Sequence, residues 1–219
     1  MRIYLKLSNN QKIIPFNYQE LLTGVIHKWI GAENEYHGNS GQFSFSWIQS
    51  TKTSKKGINL NHGAYFFISS LNNKLIKKII NGIIDEPEMF CGIRVTDVQI
   101  ENPPVFSNEQ KFLMASPVLI KVKEDNSIRH VTIEDDDFEE KLTDSFKNKL
   151  NRAEISSHEV SIQLDPNSSF RTTKLVDYKG IKNRASLTPI IICGNQEQIE
   201  YAWSMGIGNS TGIGFGSLK

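Results

Sequence analysis

The sequence predicts an α+β fold of two tandem βαββαβ units, each built on an antiparallel sheet. Three observations carry this. Two-residue alternation of apolar and polar side chains gives way twice in each half to helical stripes; the order of these patterns repeats; and Asn102-Pro103-Pro104 breaks regular structure midway. The expected units are residues 1–104 and 105–219. The halves share this order of patterns but no clear residue-level identity, so the repeat is architectural.

In the first half, Met1 to Leu7 sets Ile3, Leu5 and Leu7 against Arg2, Tyr4 and Lys6, a half-buried strand. Asn17 with Glu20 reads as a capping box ahead of Leu21, Leu22, Val25, Ile26, Trp29 and Ile30 at helical spacing. A polar, Gly-containing loop (Gly31 to Gln42) leads to Phe43-Ser44-Phe45-Ser46-Trp47-Ile48, where aromatic residues alternate with serines. A lysine-containing loop precedes a strand at Gly63 to Ser69. Leu71, Leu75, Ile76, Ile79, Ile80 and Ile83 form a second helical stripe, and Ile93 to Ile100 an extended segment.

In the second half, Ser116 to Val122 reads as a strand. Six carboxylates between Glu134 and Glu140 are expected in the first turns of a helix through Leu142, Phe146 and Leu150, where the helix dipole favours them. Strands are expected near Val160 to Leu164, Arg171 to Val176 and Leu187 to Ile192. Asn195 with Gln198 caps a short helix through Trp203 that Gly206 ends. Two such units side by side make a pair of ferredoxin-like domains, an architecture whose uses include RNA recognition.

Composition narrows the function classes. The chain has 219 residues, 38% hydrophobic and 22% charged, the balance of a globular protein rather than a disordered or membrane one. The apolar runs fall short of bilayer length, and residues 1–7 lack a signal peptide's continuous apolar core, so a cytoplasmic protein is expected. Cys91 and Cys193 lie in apolar surroundings outside any metal-ligand spacing, which argues against zinc and disulfides and for two buried thiols. A net charge of +1 counts at first against a nucleic-acid partner. Residues 134–140, however, hold six acids and no base, and without them the chain has 25 basic against 18 acidic residues. A segregated surface and salt-sensitive RNA binding on one face are therefore expected.

The most unusual segment is Gly206-Ile207-Gly208-Asn209-Ser210-Thr211-Gly212-Ile213-Gly214-Phe215-Gly216, with five glycines in eleven residues. It follows a helix instead of opening one, so a dinucleotide loop is a poor reading. Two readings stay open: a nest of N–H groups around an RNA phosphate, with Asn209, Ser210 and Thr211 assisting, or a tight turn before a last strand. Lys52, Lys55 and Lys56 form one basic cluster. Arg171, Lys174, Lys179, Lys182 and Arg184 form another, interleaved with Phe170 and Tyr178, which could stack on bases.

The glycine run resembles the C-terminal signature G-x-G-x-x-x-x-x-G-F-G of the repeat-associated CRISPR proteins, matched by Gly206, Gly208, Gly214, Phe215 and Gly216. Pro15-Phe16-Asn17-Tyr18, Phe43-Ser44-Phe45-Ser46 and Ser116-Pro117-Val118 resemble, in order and spacing, one branch of that group: the endoribonucleases that process precursor guide RNA. The resemblance implies cleavage without a cofactor or metal. A ribose 2′-hydroxyl attacks its adjacent phosphate and leaves a 2′,3′-cyclic phosphate and a 5′-hydroxyl, with a general base, a general acid and a cation assisting. It places the base in the loop before the F-x-F-S strand, where this chain has His37. His27, on the first helix, is the second candidate, either a proton-transfer group or a helix-surface residue. Relatives often carry Lys just before that strand; Gln42 stands there, and Lys28 and Lys52 are the substitutes considered for the cation. His62, His130 and His158 match no motif. The implied partner is repeat RNA, with effector-complex subunits or a second copy as further ones and no membrane. The competing reading is an RNA-holding subunit that cuts nothing. A metabolite-binding protein is disfavoured for want of a phosphate loop or ligand cluster.

Overall fold

The computed structural model describes residues 1–31, 42–125 and 127–219. The first half contains β1 (Arg2–Leu7), α1 (Gln19–Ile30), β2 (Ser44–Phe45), β3 (Gln49–Ser54), β4 (Gly57–Ser69), α2 (Asn73–Asp85) and β5 (Val95–Glu101). Its antiparallel sheet runs β2-β4-β1-β5, with β3 folded back on β4. This is the ferredoxin-like order, in which each helix crosses between two parallel strands past the antiparallel strand between them. Ile3, Leu5, Phe66 and Ile68 from the sheet meet Leu22, Ile26, Ile76 and Ile79 from the helices in one core.

The second half contains β6 (Glu109–Phe112), β7 (Ile120–Glu124), β8 (Ser127–Val131), α3 (Phe138–Arg152), β9 (Ser161–Leu164), β10 (Thr172–Tyr178), β11 (Ile181–Leu187), β12 (Ile190–Cys193) and α4 (Gln196–Met205). The sheet β6-β12-β9 is antiparallel. Beyond β6, Leu113 exchanges backbone hydrogen bonds with Lys219 and the Ala115 N–H donates to Ser217 O, which supplies the fourth strand position of the same topology. A second core gathers Phe112, Leu142, Phe146, Ile190, Ile192, Ile199 and Trp203. Two hairpins, β7-β8 and β10-β11, stand outside the basic unit.

Several expectations need correction. Helix α1 begins at Gln19, with Tyr18 at the N-cap and no side-chain cap bond; Asn17 is exposed and Tyr18 is buried, its hydroxyl accepting the Ile48 N–H at 3.1 Å. The F-x-F-S strand shortens to Ser44–Phe45, after which the Trp47 N–H leaves the sheet and donates to Ala115 O in the other half. The lysine-containing loop is a hairpin: Lys52 lies on β3, and Lys55 and Lys56 form the turn into a strand that starts at Gly57. Residues 116–119 precede β7 instead of belonging to it, and β11 had no separate signal. Of the six acids only Glu139 and Glu140 stand in the first turn of α3. Cys91 and Cys193 are free thiols, half-buried rather than enclosed. The capping box of Asn195 and Gln198 and the stop at Gly206 form as expected.

The halves are tied by Arg2. Its guanidinium lies between the rings of Phe67 and Trp203, 3.9 and 3.8 Å from their centroids. It donates to Ser69 Oγ, Trp203 O and Leu218 O at 2.7–2.9 Å. Among the described residues no side-chain carboxylate bonds to it; carbonyl dipoles and aromatic faces compensate a cation that is 1% exposed.

Candidate nucleic-acid interface

The glycine run occupies the seam between the halves. Gly206 ends α4 at φ 69°, and Gly208, Gly214 and Gly216 also have positive φ, at 69°, 89° and 64°. The space is as tight as the backbone is unusual. A Cβ on Gly214 would sit 2.8 Å from the Phe45 ring, and one on Gly206 would sit 2.7 Å from Gly216 O. The F-x-F-S strand thus packs directly on the run. The S-P-V segment closes it from the other side: Gly216 N–H donates to Pro117 O, Ser217 N–H to Ser116 Oγ, and Asn209 N–H to Leu119 O. The three motifs converge on one structure.

Both readings of the run hold, on different residues. The N–H groups of Gly206, Ile207, Gly214 and Gly216 all donate within the chain, so this part is a packed turn. At the tip, Thr211–Ile213 make a single 3₁₀ turn entered from Ser210 at φ 62°. Among the described residues, nothing accepts from the N–H groups of Ser210, Thr211 and Gly212. Gly212 has nothing within 4 Å of its would-be Cβ.

Beside that tip runs a groove of about 880 Å³ walled by α3, β7, the tip and, from the first half, Gln42, Leu71 and Asn72. Its cations are Lys121, Lys123, Lys141, Lys149 and Arg152, against a single acid, Asp144. Lys141 pairs with Glu140; Lys121, Lys123, Lys149 and Arg152 make no ion pair among the described residues. Lys149 reaches under the glycine run and donates to Gly206 O at 3.0 Å, Thr211 Oγ1 at 3.4 Å and Met205 O at 3.5 Å. Burial, with Arg152 adding repulsion, brings its pKa down to about 7. These cations had no signal in the sequence, since they come from separate segments that only the fold joins.

His37 lies outside the described residues. His27 is half-buried on the last turn of α1, its ring edge-on to Phe43 with centroids 6.2 Å apart. Helix α1 packs against the 3₁₀ turn, which brings His27's element to the glycine run. Lys28 is committed elsewhere: its ammonium pairs with Glu86 at 3.0 Å and donates to Glu88 O at 2.6 Å. Lys52 pairs in register with Asn59, nine residues along β4 from the Ile68 that faces Phe45. At the rise of a strand that is about 30 Å from the run. The exposed cluster Lys52, Lys55 and Lys56 forms its own site on the hairpin tip.

The second basic cluster lies on β10-β11 and is not segregated from the acids. Arg184 pairs with Glu134 at 2.6 Å, Asp177 stands opposite Lys182, and Arg171 borders a recess with Asp135, Asp136 and Glu139. Arg129 alone engages Glu124, Asp135 and Asp137. The acids therefore neutralise neighbouring arginines instead of standing apart, because β8, β11 and the start of α3 meet there. Lys174 and Lys179 keep free ammonium groups among the described residues, Lys179 6.0 Å above the Tyr178 ring. Phe170 is exposed and, with Trp47, Pro117 and Pro189, lines an apolar recess of about 350 Å³.

His62 is exposed on β4, His158 is exposed in a loop, and His130 on β8 accepts the Arg184 N–H at Nδ1, 3.3 Å away. Desolvation and Lys121 lower the His130 pKa. Among the described residues no three His, Cys, Asp or Glu side chains gather as a metal site. No helix there is long and apolar enough to cross a membrane.

Two ferredoxin-like halves locked by a C-terminal glycine loop, with a basic groove at that lock, define a repeat-associated protein of the CRISPR type. The family model described as CRISPR associated protein Cas6, C-terminal, matches residues 101–219, over half of the sequence, and the chain belongs to that family. It is 28% identical to a CRISPR-associated endoribonuclease-like protein Cas6 of Pyrococcus furiosus, covering 100% of this chain and 98% of the relative. It is 24% identical to a CRISPR-associated endoribonuclease Cas6 of Methanocaldococcus jannaschii, covering 100% and 92%. A solved Cas6-related protein of Pyrococcus furiosus superposes with a TM-score of 0.86 at 25% identity, over 100% of this chain and 97% of the other.

Proposed function

We propose that this chain is a cytoplasmic endoribonuclease that cuts CRISPR repeat RNA in precursor transcripts, without metal, to give guide RNAs. The observation that carries the reading is the glycine tip, whose Ser210, Thr211 and Gly212 N–H groups have no acceptor among the described residues, beside a groove in which four cations make no ion pair among those residues. Such a groove suits a phosphodiester chain, and N–H groups aimed at one phosphate stabilise charge developing on it. Residues 32–41, which carry His37, join the end of α1 to Gln42 on the groove wall.

The reaction is a transesterification. The base removes the proton of the 2′-hydroxyl, whose oxygen forms a bond to the adjacent phosphorus. The bond to the 5′-oxygen breaks, and the acid returns a proton to that oxygen. His37 acts as base and His27 as acid. Because Lys28 is paired with Glu86, the supporting charge comes from the groove cations. The division at 104/105 belongs to the same reading, with RNA lying across two units.

Cleavage of repeat RNA in EDTA tests this, with a substrate carrying 2′-deoxyribose at the cut site as control. The ribose substrate is cut and the deoxy substrate is not; cleavage of the latter overturns the mechanism. His37→Ala slows cleavage about a hundredfold or more with RNA affinity nearly unchanged. The second reading, a subunit that holds guide RNA and cuts nothing, is favoured by one relative's name, endoribonuclease-like. Tight RNA binding with no cleavage by the unaltered chain establishes it.

A further inference from the structure

Lys149, half-buried in the groove wall, makes contacts that go beyond supplying charge to the reaction above. Lys149 is anchored on α3, yet its ammonium is held by the last carbonyls of α4 and by the hydroxyl of Thr211. It therefore links the helix end that launches the glycine run to the turn that forms its tip. In the same turn the N–H groups of Ser210, Thr211 and Gly212 have no acceptor among the described residues.

Resting on the RNA-binding reading, we propose that Lys149 is a positioning residue that makes binding of an RNA phosphate at the glycine tip proton-linked, fixing the loop as an ammonium when the phosphate is in place. A neutral amine offers two donors and no charge to the three oxygens it faces. An ammonium offers three donors and neutralises the carbonyl dipoles gathered at the end of α4. A phosphate at the tip adds a negative charge beside the turn that Lys149 holds and favours the ammonium further.

The groups facing Lys149 set the sign. Arg152 from its own helix opposes its charge; Lys121 and Lys123 of β7 and Lys141 and Asp144 of α3 share the groove, with Lys141 paired to Glu140; Tyr201 of α4 is neutral and donates to the Lys149 carbonyl at 3.5 Å. The RNA-free amine thus titrates near neutrality, with a pKa of about 7. Binding an anion raises that value, so above about pH 7 binding takes up a proton. Affinity then falls with rising pH, by up to about tenfold per unit until the pKa of the complex is reached.

The test uses the full chain and repeat RNA blocked by 2′-deoxyribose at the cut site, so binding is read apart from cleavage. Calorimetry at pH 8 in two buffers of different ionisation enthalpy gives the protons taken up. The difference between unaltered and variant chains isolates Lys149 from the histidines. Lys149→Arg keeps a permanent charge, abolishes the Lys149 share of the uptake and flattens affinity between pH 7 and 9. Lys149→Met also abolishes it and weakens binding at pH 6.5 by roughly tenfold or more. Uptake equal in the unaltered chain and both variants overturns the inference, as does a flat affinity profile in the unaltered chain. Absence of RNA binding at any pH defeats the functional reading itself, whereas binding without cleavage leaves this inference standing.

Discussion

Glycines with the same letter in the sequence have opposite roles in the run. Gly214 stands at φ 89° with the Phe45 ring where a Cβ would go, and Phe45 is fully buried. Gly212 has ordinary φ and open space. Gly214→Ala should cost about 1–3 kcal/mol of stability from backbone strain and the displaced ring. Gly212→Ala should stay within about 0.5 kcal/mol. Urea denaturation of the two variants checks this, and equal midpoints would mean the run is not packed as described. The signature was legible as a motif, but the split between packing and open positions depends on what each glycine faces.

At the scale of elements, legibility followed periodicity. Helix α2 repeats its apolar residues at helical spacing, and its Asn72 caps the Lys74 and Leu75 N–H groups. Helix α4 carried both a capping box and a terminal glycine. Strand β11 was illegible because Ile181, Lys182 and Arg184 face solvent while Asn183 and Ser186 are buried, so polarity does not track burial. The groove cations were illegible for another reason: β7 and α3 meet only in the folded chain. The acids before α3 are not legible as ion-pair partners because Arg129 and Arg184 come from β8 and β11, which only the fold brings to them. That pairing makes a prediction for the β10-β11 hairpin. Glu134→Gln releases Arg184, so RNA affinity should rise and the slope of log affinity against log salt should steepen by roughly one. Filter binding at several salt concentrations reads both, and an unchanged slope would remove Arg184 from the RNA surface.

At the scale of the whole molecule, the buried cation Arg2 ties the two halves across the seam. Arg2 bonds to Ser69 in the first sheet and to both Trp203 O and Leu218 O in the second half. Arg2→Met fills the volume between Phe67 and Trp203 but strands two buried carbonyl oxygens, a loss of about 2–4 kcal/mol. The seam keeps the bonds from Ser44 Oγ to Ser204 O, Trp47 Nε1 to Gly214 O and Trp47 N–H to Ala115 O, so this variant should unfold at a lower midpoint with the two halves less tightly coupled, detected by fluorescence of Trp29 and Trp203 in single-tryptophan backgrounds. One cooperative transition at the original midpoint would show that the seam holds without Arg2.

The contact from Arg2 to Leu218 joins residues 216 positions apart. Almost the entire chain must be threaded before it closes, and so distant a pairing is slow to find because the entropy of the intervening loop is lost before the contact repays it. Each half can collapse on its own core well before that moment. The seating of Phe45 on Gly214 and the Gln42, Leu71 and Asn72 wall of the groove come only with it, so a newly made chain passes through a state that is nearly all folded while the groove still lacks one wall.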